Sequence, residues 1–248
     1  MTRGVQRWLV SPVARRASRL AIPLAVVLLQ GCATGPDANP RDPMEPLNRA
    51  VFRFNDAVDS TVLKPVATGY KAVTPSLIRK GVGNFFNNLQ DMWSSVNSAL
   101  QGRGQEFSDN IGRVMVNSTI GMFGLIDVAS ALQIDRHTTD FGTTLGRWGV
   151  APGPYVVLPL LGPFTLREVA AYPIDYTGDR SSQLGGSADA NAEISVLKII
   201  DRRANLLDAG NIIDGAALDP YTFMRDGYLQ RQRNVQYDGN PPDEDLPP

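Results

Sequence analysis

Residues 149–166 read GVAPGPYVVLPLLGPFTL, eighteen residues without a charged side chain. Their length would suit a helix that crosses a bilayer, which needs about 20 apolar residues. Four prolines exclude a continuous helix, because each lacks an amide donor and clashes with the preceding turn. The sequence therefore predicts an apolar, irregular segment. Such backbone is tolerated at membrane depth only where protein or a water-filled cavity covers it, and a buried loop of a soluble core is the alternative.

The first six residues of this segment, Gly149–Pro154, have the composition of a tight turn. Proline presets a backbone φ near −65°, and glycine tolerates the positive φ that many turns need. We therefore predict a tight turn or a hairpin tip at residues 149–154.

The segment from Ser76 to Gln101 is predicted to be a helix with one wide apolar stripe. Its other face carries asparagine and serine, including Asn84, Asn87 and Asn88, and Asp91 is the only charge from Gly81 to Gln101. A surface helix in water normally has lysine and glutamate on that face. Two interpretations stay open: a buried helix with polar contacts, or a helix that lies in a membrane interface or lines a polar, uncharged passage.

Two more helices are predicted, one near the start of the domain and one near its end. Residues 46–62 place apolar side chains three or four apart, with Pro46 in the first turn and Pro65 as the predicted stop. Asp219 is predicted to cap a last helix that runs to about Arg233.

Two further segments complete the prediction of the fold class. Residues 114–132 are apolar with a lone charge, Asp127, but small and polar residues interrupt them, while residues 187–209 have an ordinary amphipathic helix pattern. Strict alternation of apolar and polar residues occurs nowhere over six residues, so we predict an all-α fold.

The N-terminus has the three parts of a secretory leader: five arginines, the apolar run Leu20–Leu29, and then small residues around Cys32. Leu29-Gln30-Gly31-Cys32 resembles the lipobox of bacterial lipoproteins, in which the cysteine becomes the acylated first residue. Arg15-Arg16 leaves twin-arginine export open. Ala33 stands where an aspartate would favour retention in the inner membrane, so we expect anchoring in the periplasmic leaflet of the outer membrane.

The charge balance argues against a nucleic-acid partner. Removal of the leader takes away five arginines and no acidic residue, which leaves 19 basic residues against 25 acidic ones. An acidic surface without a basic cluster gains no attraction from counterion release. We predict a signal peptide at 1–31, a lipidated tether at 32–45, one helical domain at 46–233 and a disordered acidic tail at 234–248.

Catalytic chemistry has little support in this sequence. The chain has one histidine, His137, which we place in a loop, and it lacks a second cysteine, a G-x-S-x-G elbow and a Walker loop. We therefore predict no enzyme activity, no metal and no cofactor. The surviving enzymatic alternative is cell-wall hydrolysis by a carboxylate pair, with Glu106, Glu168 or Glu193 as the acid.

Five blocks of the sequence resemble the MlaA/VacJ family of outer-membrane lipoproteins. They occur in order over nearly all of the mature chain: DPMEPLNRAVFRFN (42–55), NSTIGMFGLIDVAS (117–130), DFGTTLGRWGVAPGPYVVLPLLGPFTLRE (140–168), RANLLD (203–208) and DPYTFMRDGYLQR (219–231).

The resemblance implies a ring of helices embedded in the inner leaflet of the outer membrane, with a central amphipathic channel. It also implies retrograde phospholipid transport that maintains the lipid asymmetry of that membrane. Misplaced phospholipids would pass through the protein to the periplasmic lipid carrier of the Mla pathway, and the protein would associate with a porin trimer. The alternative function is a non-conducting scaffold that binds porins or other envelope proteins.

The resemblance also assigns roles to particular residues. The hairpin that gates the channel corresponds to Gly149, Val150, Ala151, Pro152 and Gly153, where alanine replaces a third glycine and is expected to stiffen the backbone. The helix beside the channel corresponds to the block with Asn48, Arg49, Phe52, Phe54 and Asn55, for which an ordinary core role is equally open. The asparagines at 84, 87 and 88 are candidates for a polar channel lining.

Overall fold

The computed structural model describes residues 42–216 and 218–242, and helices account for most of this part of the chain. In chain order the elements are α1 (Glu45–Val58), α2 (Lys64–Val73), α3 (Ser76–Leu100), α4 (Gly104–Thr119), α5 (Val128–Ala131), α6 (Phe141–Arg147), β1 (Tyr155–Leu158), β2 (Gly162–Thr165), α7 (Leu166–Gly178), α8 (Ala188–Ala216) and α9 (Pro220–Gln236). The predicted helical class is confirmed. Among the described residues, no helix combines the length and the apolar character that crossing a membrane requires.

The predicted stop at Pro65 is wrong, because α1 continues into α2 through a π-helical turn at Asp59–Leu63. Pro65 then occupies the first turn of α2. In a regular helix the proline ring would clash with the carbonyl of the preceding turn. A π turn inserts one extra residue and changes that geometry, so the helix accommodates the proline without ending.

The polarity of α3 is reversed relative to a helix in water. Its buried residues are polar except for Phe86: Asn88, Asp91, Ser94, Ser95, Asn97 and Ser98. The apolar stripe faces outward, with exposed side chains at Leu77, Ile78, Met92, Val96 and Leu100. The first interpretation, a buried helix with polar contacts, is confirmed for the polar face of α3, whereas the interpretation as a helix that lies in a membrane interface or lines a passage stays a prediction.

Hydrogen bonds within the protein engage much of the buried polar face of α3, although Asn88 Oδ1 and Ser98 Oγ have no partner among the described residues. Ser94 Oγ donates to the carbonyl of Thr139 at 3.1 Å, and Thr144 Oγ1 donates to Asn97 Oδ1 at 2.8 Å. Gln101, just after the helix, donates from Nε2 to the hydroxyls of Thr139 and Thr144, both at 2.9 Å. These contacts join α3 to α6 and to the segment before it.

The same reversal occurs in α1 and α4. The buried residue of α1 is Asn48, whereas Leu47 and Phe54 are about half exposed. α4 buries Asn110, Arg113 and Asn117, whereas Met115 is 64% exposed. Of the buried side chains in the described part of the chain, nine are hydrophobic and twenty-one are polar or charged. The fold therefore has a largely polar interior and an outer surface with apolar stripes on α1, α3 and α4.

Two small apolar clusters supplement this polar interior. Ala67 of α2 packs with Ala204 and Leu207 of α8, and Tyr70 covers them. The second cluster, around Tyr155, lies between the hairpin, α1 and α9.

Residues 149–166 are more regular than predicted, since they contain the antiparallel β1–β2 hairpin. Its register pairs Tyr155 with Thr165 and Leu158 with Gly162. Each strand has only four residues, which is too short for the alternation that identifies strands. The tip of this hairpin lies at 159–161, so the predicted hairpin tip at 149–154 is wrong.

The predicted tether and tail both extend too far into the folded domain. Asp42 is buried and α1 begins at Glu45, within the predicted tether at 32–45. α9 runs to Gln236, and Asp238 forms ion pairs with Arg103 and Arg147. The predictions for the signal peptide, Cys32 and the rest of the tether and tail concern residues 1–41 and 243–248, outside the described residues.

Candidate functional site

Asn48 of α1 holds the open edge of strand β1. Its Nδ2 donates to the carbonyl of Tyr155 at 3.0 Å and to Asp42 Oδ1 at 2.8 Å, and its Oδ1 accepts from the amide of Val157 at 2.9 Å. The side chain is fully buried. A single amide therefore replaces the strand that β1 lacks on this edge.

Asn55 repeats this arrangement two turns further along α1. Its Nδ2 donates to the carbonyl of Leu158 at 3.0 Å, and its Oδ1 accepts from the amide of Leu160 at 2.8 Å. Asn55 is partly exposed, unlike Asn48. The two asparagines clamp α1 along the hairpin from its first strand to its tip.

The aromatic side of the hairpin packs on α1 and α9. The ring of Tyr221 lies 5.7 Å from that of Phe52 and 6.4 Å from that of Tyr155. Burial, followed by the hydrogen bond to Asp42, raises the pKa of Tyr221, so its hydroxyl stays protonated and donates to that carboxylate. Phe54, by contrast, is 50% exposed on the outer surface.

Arg49 ties α1 to the start of α9. Its two terminal nitrogens donate to Asp219, Nη1 to Oδ1 at 3.2 Å and Nη2 to Oδ2 at 2.7 Å, while Nε donates to Glu45 at 2.7 Å. The guanidinium also lies 4.4 Å from the ring centre of Tyr221. The hydrogen bond from Arg49 holds the pKa of Asp219 well below its usual range. The block around Asn48 thus joins the hairpin to the end of the fold.

The predicted gate, Gly149–Gly153, connects α6 to β1. Gly149 and Gly153 have φ of +91° and +68°, and Ala151 is exposed between them. Arg167 holds this connection, because its Nη1 donates to the carbonyl of Val150 at 2.8 Å and its amide donates to the carbonyl of Pro152 at 3.1 Å. The segment is thus a short connection with a glycine at each end, positioned just before the hairpin.

The three asparagines proposed to line a channel have different surroundings. Asn84 donates to the carbonyl of Leu125 at 3.0 Å, and Asn88 is buried and donates to Ser118 at 2.9 Å. Asn87 is exposed and lines a cavity beside α3. Of the three, Asn87 therefore lines a cavity, and the other two hold neighbouring segments against α3.

Residues 120–126 form an exposed apolar loop between α4 and α5. Its exposed members are Ile120, Met122, Phe123, Leu125 and Ile126, and Phe123 is 81% exposed. Met122 and Phe123 have φ of +53° and +59°, a region that side chains other than glycine rarely adopt. The amide of Gly124 donates to the carbonyl of Asn117 at 2.8 Å and fixes this shape. The protein therefore holds apolar side chains outward at a cost in backbone strain.

A buried ionic network that the sequence analysis did not predict lies behind this loop. Arg113 contacts Asp91 at 3.2 Å and Asp127 at 3.0 Å, and Arg136 contacts Asp91 at 2.5 Å. Asp91 and Arg113 are almost completely buried. Asp91 and Asp127 are the lone charges of two apolar segments, and this shared feature was the available indication that a buried cation pairs with both.

The three candidate catalytic carboxylates lie on separate elements and do not form a pair. Glu168 completes a capping box at the start of α7, where Oε2 accepts from the amide of Thr165 at 2.6 Å. Glu106 pairs with Arg103 at 3.2 Å, and Glu193 is exposed on α8. His137 lies in a loop, as predicted, with Nε2 3.0 Å from Asp109. These residues stand on separate elements, and none lines the cavity beside α3.

The fold and site define a mostly helical protein with a largely polar interior, apolar stripes on its outer surface and a β-hairpin clamped by an N-terminal helix. The family model described as MlaA lipoprotein matches residues 40–235, and the chain belongs to this family. The resemblance drawn from the five sequence blocks is thereby confirmed.

Named relatives cover most of the chain. The chain is 36% identical over 217 residues to the intermembrane phospholipid transport system lipoprotein MlaA of Escherichia coli strain K12, with 85% of each chain covered. It is 32% identical over 227 residues to the protein of that name from Haemophilus influenzae, with 88% of each covered. A solved structure concerned with the maintenance of bacterial outer-membrane lipid asymmetry matches with a TM-score of 0.66 and 35% identity, covering 79% of this chain and 98% of the other.

Proposed function

We propose that this protein is a lipoprotein of the outer membrane that conducts phospholipids from the membrane toward the periplasm. The observation that carries the proposal is the reversed polarity of α1, α3 and α4, which exposes apolar stripes and buries polar ones. An acylated Cys32 would anchor the chain at the periplasmic leaflet. The relatives named as intermembrane phospholipid transport lipoproteins support this assignment.

The energetics favour a lipid environment for the apolar outer surface. Apolar side chains exposed to water cost roughly 25 cal/mol per Å² relative to burial, and the exposed stripes of α1, α3 and α4 together with the apolar loop form a large area of this kind. In a leaflet the same side chains contact acyl chains and that cost disappears. The buried polar side chains then have the protein as their partner, as they must at membrane depth.

A conduit is needed because a phospholipid does not leave a bilayer readily. Two acyl chains transferred to water cost on the order of 20 kcal/mol, at about 0.8 kcal/mol per CH₂. A channel with apolar and polar walls lowers that cost without a source of energy. We propose that the protein is such a passive channel, that it associates with a porin trimer, and that a periplasmic lipid carrier receives the lipid.

The proposed gate is the connection Gly149–Gly153 together with the hairpin that follows it. Three observations support this role: the glycines at both ends adopt positive φ, the hairpin is clamped by Asn48 and Asn55, and Arg167 fixes the connection from the other side. A change in backbone angle at either glycine would therefore strain the contacts that hold the hairpin against α1.

Replacement of Gly149 by proline is expected to disturb this gate. Proline requires φ near −65°, whereas Gly149 has φ of +91°, so the connection must take another path. We expect the amount of phospholipid in the outer leaflet to rise several-fold in cells that carry Gly149→Pro as their only copy, because less phospholipid would leave that leaflet. Surface-accessible phospholipid, measured by phospholipase digestion of intact cells, is the readout.

The matched control is Gly104→Pro. Gly104 is the first residue of α4, a side chain there meets no atom within 4 Å, and proline is favoured at this helix position. The control should match the wild type. Equal outer-leaflet phospholipid in Gly149→Pro and Gly104→Pro cells would contradict the gating role, and if deletion of the whole protein also left it unchanged, a non-conducting scaffold would be the better account.

A further inference from the structure

A cavity of about 330 Å³ lies between α3, α8, α9 and the segment before α6. Four basic residues line it: Arg136, Lys198, Arg202 and Arg231. They come from three separate parts of the chain, and the fold brings them together around one opening.

Two of these cations are already paired. Arg136 contacts the buried carboxylate of Asp91 at 2.5 Å, and Lys198 contacts Asp179 at 2.8 Å. The side chains of Arg202 and Arg231 are exposed at the cavity and form no ion pair or hydrogen bond within residues 42–216 and 218–242. Their two guanidinium groups are therefore available to an external anion.

One carboxylate, Asp201, also lines this cavity, and it is engaged from both sides. Its Oδ1 accepts from the hydroxyl of Tyr70 at 3.0 Å, and its Oδ2 accepts from Nδ2 of Asn205 at 3.2 Å. Burial, followed by this hydrogen bond, raises the pKa of Tyr70 to about 12, so the phenol remains the donor. Asp201 is thus held by neutral donors and leaves the two arginines unpaired.

Two apolar side chains also line the cavity. Phe86 of α3 is buried in the lining, with Lys198 Nζ 5.9 Å from its ring centre, and Leu206 of α8 is 51% exposed in the lining. A free phosphate ion gains nothing from Phe86 and Leu206, whereas the glycerol and upper acyl carbons of a phospholipid would contact them. The lining therefore matches a ligand with an anionic head and an apolar body.

We propose that this cavity binds the phosphate of a glycerophospholipid head group, with Arg202 and Arg231 as its principal donors and with Phe86 and Leu206 against the adjoining apolar part. Guanidinium groups suit phosphate because they donate two parallel hydrogen bonds to it. The proposal rests on the proposed phospholipid transport and gives that function a defined head-group site.

The test uses the full-length acylated protein in detergent and phosphatidylglycerol that carries a nitrobenzoxadiazole label on one acyl chain. Binding is measured by fluorescence anisotropy for the wild type, Arg202→Gln, Arg231→Gln and the double variant. Loss of a charge-assisted contact should weaken binding on the order of tenfold for each arginine. The control is Arg53→Gln, since Arg53 is an exposed arginine of α1 that does not line the cavity. In a second arm, inorganic phosphate competes with the labelled lipid.

Weaker binding by the double variant, with unchanged binding by Arg53→Gln and no displacement by inorganic phosphate at the concentration of the lipid, supports the head-group site. Displacement by inorganic phosphate at that concentration would make this a free-anion site and overturn the proposal. Equal binding by the wild type and the double variant would overturn the site and leave phospholipid transport intact. A wild type that binds no labelled lipid would overturn both.

Discussion

Asp91→Ala is expected to lower the free energy of unfolding by about 3–5 kcal/mol, because removal of one partner leaves a buried ion uncompensated. Asp91 is 1% exposed, and its two oxygens contact Arg113 and Arg136. Without it, the buried Arg113 keeps only the partly exposed Asp127 as an ionic partner. A loss of this size is a large fraction of the stability of a typical domain. Urea titration of the purified protein in detergent, followed by circular dichroism, measures it.

The control is the next residue along α3. Met92 is 41% exposed on the apolar outer surface, so Met92→Ala should change the free energy of unfolding by much less. If Asp91→Ala and Met92→Ala unfold at the same urea concentration, the ionic network around Asp91 does not stabilise the polar interior.

Asn48→Leu is expected to have the second largest effect, about 2–4 kcal/mol, since a leucine of similar volume cannot replace the three hydrogen bonds of the amide. The variant leaves the carbonyl of Tyr155, the amide of Val157 and one oxygen of Asp42 without this partner in a buried region. Each unsatisfied buried group costs about 1–3 kcal/mol, with partial relief by relaxation. Hydrogen exchange at the amide of Val157 should become faster, and the urea midpoint should fall.

Asn55→Leu is the matched comparison, because Asn55 makes the same kind of contacts with Leu158 and Leu160 but is partly exposed. Water can reach the carbonyl of Leu158 and the amide of Leu160 in Asn55→Leu, so the free energy of unfolding should fall by less than in Asn48→Leu. Equal falls in the free energy of unfolding would show that the burial of Asn48 does not strengthen its contribution to stability. An unchanged exchange rate at Val157 in Asn48→Leu would show that α1 does not hold the hairpin.

The helices were largely predictable from the sequence, but their orientation was not. Apolar residues spaced three or four apart identify an amphipathic helix such as α3, and this spacing is the same for helices in water and in lipid. Which face turns inward depends on the surroundings, because contact with water is unfavourable for apolar side chains whereas contact with acyl chains is not. The absence of lysine and glutamate from residues 81–101 was the one local indication that the polar face of this helix lies inside the protein.

Long-range contacts explain the other differences between prediction and structure. The strands 155–158 and 162–165 are short, and the asparagines that complete the edge of β1 come from more than a hundred residues earlier in the chain. The π turn before Pro65 and the pairing of Asp91 with Arg113 likewise depend on tertiary context. For the site, the block around Asn48 was located by resemblance, whereas its contacts with the hairpin could be found only in the folded chain.

If the apolar stripe of α3 faces lipid, electron paramagnetic resonance of the protein in vesicles should detect this orientation. Cys32 is the only cysteine, so a spin label can be placed at Val96→Cys in the exposed stripe and, for comparison, at Asp189→Cys at the charged start of α8. The account predicts that the label at 96 is relaxed by oxygen and protected from a water-soluble nickel complex, while the label at 189 is accessible to nickel. Equal nickel accessibility at the two positions would contradict it.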